Sequence, residues 1–209
     1  MRPTETLKAE HRVIEQVLAC LEAMTDRACV SGVLDGASAC EALDFFRHFA
    51  DGCHHAKEET LLFPLLESLG FPPGDGPTEV MRQEHHTGRQ LLHGMEENLE
   101  PAAAGDPDAL ARFADDAWDY VRLLREHILT EDLRLFVMAD RLLSPDDQRL
   151  LRTKFEKIEQ EKAPGTHERY LARANVLAER FGVPPAVAHG DARPCCSPAR
   201  GRQAEIIPS

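Results

Sequence analysis

The residues best suited to chemistry fall in two phrases of one pattern. His54-His55-Ala56-Lys57-Glu58-Glu59-Thr60-Leu61-Leu62-Phe63 and His127-Ile128-Leu129-Thr130-Glu131-Asp132-Leu133-Arg134-Leu135-Phe136 share the skeleton H-x3-E-x4-F, with His54 and His127 73 residues apart. On a helix, residues i and i+4 differ by about 40° around the axis and about 6 Å along it, so the His and Glu of one phrase can converge on a single ion. A second match pairs Leu7 to Leu18 with Met81 to Leu92 and lays Glu10-His11 on Glu84-His85. A repeated supersecondary unit exposes the positions that are used twice. Here the repeat selects His54 with Glu58 from one histidine doublet and His85 from the other.

Helix phase makes the same selection. The stripe Met81, His85, Gly88, Leu92, Met95, Leu99 steps by four and three and is apolar except at the histidine, whereas His86 falls with Arg82, Arg89 and His93. His11 lies in the stripe Leu7, Ile14, Leu18, Leu21, and His54 with Glu58 in Phe46, Ala50, Leu61, Leu65. His127 with Glu131 lies in Tyr120, Leu124, Leu135, Met138. Buried carboxylates without partners cost several kcal/mol or take up a proton, and a metal removes that cost. Four imidazoles and two carboxylates suit two ions, each with two imidazoles, bridged by both carboxylates. Such a donor set suits iron or manganese, while a lone structural zinc needs only four ligands. Positions remain for a small diatomic or peroxide ligand.

The elements that carry these residues read as helices, since no period-2 alternation is sustained. Four long helices are expected at about 4–29, 37–69, 77–100 (ended by Pro101) and 107–143. Ser144-Pro145-Asp146-Asp147 opens a fifth to about 162, and Pro164-Gly165 separates it from a sixth at 166–181. The fold class is all-α: an up-down-up-down antiparallel four-helix bundle over 1–143, two accessory C-terminal helices over 144–183 packed on it, and a disordered tail over 184–209.

The composition sets limits on partners. Among 209 residues, 24 Lys+Arg against 36 Asp+Glu give a net charge of −12, which disfavours nucleic acid and anionic membranes. No apolar run spans a bilayer and no signal-peptide pattern opens the chain, so a cytoplasmic protein is expected. The six cysteines contain no C-x2-C pair and are read as free thiols, with Cys195-Cys196 in the tail. No phosphate loop, dinucleotide fingerprint or Ser/His/Asp grouping competes with the histidine pattern. Of ten histidines, His48, His93, His167 and His189 read as surface or capping residues. His55, Glu59 and His86 either orient the selected ligands or face solvent and neighbouring helices. Glu10 and Glu84 read as surface acids, and Tyr120 as core.

The pattern H…H-x3-E…H…H-x3-E, filled by His11, His54/Glu58, His85 and His127/Glu131, resembles the hemerythrin-like, or HHE cation-binding, family over about residues 4–143. The phrase Lys57-Glu58-Glu59-Thr60-Leu61-Leu62-Phe63-Pro64 is typical of that family. The resemblance implies a non-haem di-iron four-helix bundle with terminal histidines, bridging Glu58 and Glu131, and two iron ions. It implies binding of, or reaction with, oxygen, peroxide or nitric oxide, with a redox or oxygen sensor and an iron store or donor as alternatives. Oxygen-carrying hemerythrins have a further histidine one turn along the third helix. Here that position is Arg89, which implies a more open site.

Overall fold

Proline opens four of the long helices, at the position where its missing N–H costs nothing and its fixed φ suits the helix. These are α1 (Pro3–Ser31), α4 (Pro77–Ala103), α5 (Pro107–Thr130) and α7 (Pro145–Glu161). Asp35 caps α2 (Gly36–Phe45), its carboxylate accepting from the Ser38 N–H, and Asp106 caps α5 in the same way. Ser144 and Asp147 cap α7 reciprocally: the Asp147 N–H donates to Ser144 Oγ at 3.2 Å and the Ser144 N–H to Asp147 Oδ2 at 3.0 Å. Gly32, at φ 77°, closes α1 by donating to the Ala28 carbonyl. The remaining helices are α3 (Phe63–Ser68), α6 (Phe136–Leu142) and α8 (Thr166–Phe181). This computed structural model describes residues 1–161 and 166–186, which are helical with no strand among them.

Two expectations are corrected. The helix expected to stop at 100 runs to Ala103, because Pro101 sits in the last turn and forfeits a single hydrogen bond there. The helices expected at 37–69 and 107–143 are not uniformly α. Phe46–His55, Glu58–Leu62 and Glu131–Leu135 are π-helical, and each π segment holds or adjoins a chemically active phrase.

Buried side chains form two apolar clusters. One gathers Leu18 and Leu21 of α1, Phe46 and Phe49, Met95 of α4, Phe113 and Leu124 of α5, and Tyr170, Leu177 and Phe181 of α8. The other gathers Leu7, Leu62, Phe63, Met81, Leu135 and Phe136 with Leu151 and Phe155 of α7. Along each of the four long stretches buried candidate ligands fall between residues of the two clusters: His11 between Leu7 and Ile14, His54 and Glu58 between Ala50 and Leu62, His85 between Met81 and Leu92, Glu131 between Ile128 and Leu135. The later helices therefore finish the two apolar ends, and the middle is left to the polar set.

Among the described residues no helix is long and apolar enough to cross a membrane. Cys20, Cys29 and Cys40 are thiols, with Cys20 pushed up to about 11 by burial, and Cys53 is buried next to His54. His48 and His93 lie at the surface beside Asp44 and Glu97. His189, Cys195-Cys196 and the part of the expected tail from 187 onwards lie outside the described residues, as does the side chain of His167.

Candidate metal centre

All six residues singled out by the repeat come together, and none is more than 1% exposed. The two carboxylates span the histidines. Glu58 Oε1 lies 3.6 Å from His54 Nε2 and Glu58 Oε2 3.5 Å from His85 Nε2. Glu131 Oε2 lies 3.2 Å from His11 Nε2 and 3.4 Å from His127 Nε2. Each H-x3-E phrase thus supplies one imidazole and one carboxylate that reaches towards a histidine of another helix.

The opposite ring nitrogens all meet acids. The Nδ1 atoms of His11, His54, His85 and His127 sit 2.9, 2.9, 2.7 and 2.8 Å from Asp132, Glu10, Glu59 and Glu84. An ionised carboxylate can only accept, so Nδ1 carries a proton and Nε2 is the nitrogen turned to the centre. The acids follow the sequence repeat. Glu10 and Glu84, each preceding the single histidine of its hairpin, serve the H-x3-E histidine of the same hairpin. Glu59 and Asp132, each following the H-x3-E glutamate, serve the single histidine of the other hairpin. The expectation that Glu10 and Glu84 are surface acids is therefore corrected. Glu10 is 3% exposed and Glu84 about one-third exposed, and both orient imidazoles. Sequence repetition was the signal available for them.

The charges inside the cluster oppose one another. Burial, with Glu131 beside it, pushes the Glu58 carboxyl well above the usual range. Against its own burial, Glu131 is held well below that range by His127 and His11. Burial drives His54 down to about 3, while Glu131 and Glu84 overcome burial to raise His127 to about 9. His85 Nε2 and His127 Nε2 stand 3.1 Å apart with both Nδ1 atoms already committed to acids. His11 Nε2, His54 Nε2 and all four oxygens of Glu58 and Glu131 are buried without a hydrogen-bond partner. Buried polar atoms are normally satisfied, and orphaned atoms converging from three of the four long stretches fit a cation. Two overlapping groups can hold one: His11, His54, Glu58 and Glu131, and His55, Glu58, His85 and His127, with ligand atoms within 4.8 Å in each group.

Lys57 extends the acid network outward. Its side chain is fully buried, with Nζ 2.5 Å from Glu10 Oε1 and 2.5 Å from Glu159 Oε1 of α7, and it sits over the Phe155 ring. Against burial, Glu10 keeps the ammonium charged. His54 and Lys57 in turn hold Glu10 down to about 2 although burial alone would raise it.

Arg89 lies outside the cluster and spans two acids, Nε to Asp51 at 2.7 Å and Nη2 to Glu59 at 2.6 Å. Beneath it is a cavity with room for one water-sized molecule, lined by Asp51, His55, His85, Gly88, Arg89, Leu92 and Tyr120. Tyr120 is both core and cavity wall. His86 is exposed, paired with Gln90. Sequence reasoning left His55 open between neighbour and bystander; the structure buries it at 5% exposure, its ring stacked 3.8 Å from that of His85.

Residues 2–139 match the family model described as hemerythrin HHE cation binding domain. The chain is 28% identical over 155 residues to the uncharacterized protein Rv1995 of Mycobacterium tuberculosis and to the same degree to the uncharacterized protein Mb2018 of Mycobacterium bovis. In each case the match covers 74% of this chain and 60% of the relative, so the chain spans less than two thirds of the length of these curated relatives. No solved structure matches.

Proposed function

Because the chain belongs to the hemerythrin HHE cation-binding domain family, we propose that it is a non-haem di-iron protein that binds or reacts with oxygen, peroxide or nitric oxide. The observation that carries this reading is the convergence of six orphaned donor atoms whose histidines are each anchored, through Nδ1, to an acid. In this reading His11, His54, His85 and His127 are terminal ligands, and Glu58 and Glu131 serve both ions. Imidazole with carboxylate suits iron and leaves manganese as the alternative metal. Iron in such a site supplies electron transfer and a binding position for a small oxidant.

The chain's own residues supply the rest. Glu10, Glu59, Glu84 and Asp132 fix the ring tautomers and aim Nε2 inward. Leu92 and Tyr120 supply the apolar part of the cavity wall, and Asp51, His55, His85 and Arg89 its polar part, so a small ligand there lies next to the cluster. The order in which the chain meets the two apolar clusters supports an up-down-up-down arrangement over 1–143. It passes from second to first in α1, back through α2–α3, forward in α4 and back through α5–α6. α7 and α8 then form the accessory region over 144–183.

One observation favours a second reading. Glu159 on α7 touches Lys57, which touches the acid behind His54, so the metal state of the core has a direct route to the accessory helices. A sensor that reports occupancy through α7 would use that route. Adding oxygen, peroxide and nitric oxide separately to anaerobically purified ferrous protein, and following the visible spectrum, separates the possibilities. A reversible oxygen adduct supports carriage, turnover of peroxide supports an enzyme, and ready loss of iron to a chelator supports donation. No spectral response to any of the three rejects the proposal of oxidant chemistry.

A further inference from the structure

The geometry points to His55 as a seventh metal ligand, supplying a third imidazole to the group of His85, His127 and Glu58 and making the two metal positions chemically unequal. This rests on the reading that the core holds two ions. Four observations support it. His55 is buried, and its ligand atom lies within 4.8 Å of those of Glu58, His85 and His127. Its ring contacts both of those histidines, with centroids 3.8 Å from His85 and 5.7 Å from His127. Its Nδ1 faces an acid, Asp51 Oδ1 at 3.4 Å, as the Nδ1 atoms of the four other buried histidines face theirs. Arg89 then ties Asp51 to Glu59, the acid behind His85, so one guanidinium steadies the supports of two adjacent imidazoles.

Local structure explains how two consecutive histidines can both face the interior. On an α-helix neighbouring side chains diverge by about 100°. Phe46–His55 is π-helical, with i→i+5 bonding and a wider turn, and at its end both His54 and His55 are buried. The second hairpin has no equivalent: the position that matches His55 is Ile128, a member of the apolar core.

The consequence is an imbalance of donors. His11 and His54 give one position two imidazoles, whereas His55, His85 and His127 give the other three; Glu58 is common to both groups and Glu131 reaches both His11 and His127. The second position adjoins the cavity through His55 and His85.

The test loads the full chain anaerobically with ferrous iron and measures ions per chain and release to a chelator, for wild type, His55→Ala, His55→Gln and the exposed control His48→Ala. Wild type and His48→Ala are expected to hold two ions. Both His55 variants are expected to keep one tightly held ion and to lose at least tenfold in affinity for the other, with free imidazole restoring the second ion to His55→Ala. Two ions of unchanged affinity in the His55 variants, or a weakened ion that imidazole does not restore, would overturn the assignment. If His55→Ala loses both ions by failing to fold, as read by its thermal melt, the size-conserving His55→Gln decides. Fewer than two ions in wild type would instead refute the two-ion reading on which the assignment rests.

Discussion

Lys57 Nζ lies 2.5 Å from Glu159 Oε1, joining a fully buried ammonium beside the metal centre to a helix outside the four that build it. The same ammonium bonds Glu10, which orients His54. Removing one partner of a buried pair costs about 3–5 kcal/mol because the other charge stays behind. Lys57→Met is therefore expected to lower the melting temperature by about 6–20 °C at 2–4 °C per kcal/mol for a chain of this size. Glu159 is more exposed, and Glu159→Gln is expected to cost no more than about 1 kcal/mol. The double variant Glu10→Gln/Lys57→Met should recover part of the Lys57→Met loss. Additive losses in a thermal double-mutant cycle would contradict the coupling.

Gly88 trades stability against access. A Cβ at this position would meet Tyr120 at 3.6 Å and Leu123 at 3.9 Å, ordinary van der Waals contact, so nothing obliges a glycine there sterically. Alanine is favoured over glycine within a helix by about 1 kcal/mol. Gly88→Ala is expected to raise the melting temperature by about 2–4 °C and to slow the reaction of ferrous protein with nitric oxide by filling the cavity wall. Stopped-flow mixing checks the second part; an unchanged rate would show that small ligands take another path.

The cap of α2 gives a pH dependence away from the metal. The Asp35 carboxylate accepts from the Ser38 hydroxyl at 2.6 Å and the Ser38 N–H at 3.1 Å, and the hydroxyl bond, opposed by partial burial, lowers its pKa below the ordinary aspartate value. A group depressed in the folded state contributes stability above its unfolded pKa and loses it as pH falls through the folded one. Asp35→Ala should cost about 1 kcal/mol at pH 7. Urea unfolding at pH 7 and pH 3 should show that difference shrinking at the lower pH. A difference that grows on acidification would contradict the assignment.

Removing metal should destabilise the whole chain, because the converging carboxylates belong to the folded state alone. Free metal at a thousandfold over its dissociation constant contributes about 4 kcal/mol per site, or about 8–16 °C in melting temperature for each ion bound. Calorimetry of chelator-treated and iron-loaded samples measures it. Coincident melts would mean that the cluster tolerates its orphaned atoms without a cation.

Much of this centre was legible in the residues. Repetition and a 3.6-residue phase chose His11, His54, Glu58, His85, His127 and Glu131, because each sits at a repeated position on an apolar stripe, and all six converge. The same logic could have promoted Glu10 with Glu84 and Glu59 with Asp132, since both pairs are repeated. It was blind to His55 for a physical reason: an α-helical phase does not hold through a π segment, and the repeat partner Ile128 is apolar. Lys57 was equally hidden, since a lysine followed by two acids reads as solvated until α7 is laid over it. Arg89 could be recognised as a departure at its position, but its span from Asp51 to Glu59 depends on how α4 meets the π segment.

The most direct test of the central claim is the number of metal ions held per chain after anaerobic purification, measured with the stabilities of His54→Ala and Glu58→Ala. The account predicts two ions in wild type, loss of metal in both variants and a lowered melting temperature of the iron-loaded samples. Fewer than two ions in wild type, with melting unchanged in both variants, would contradict it.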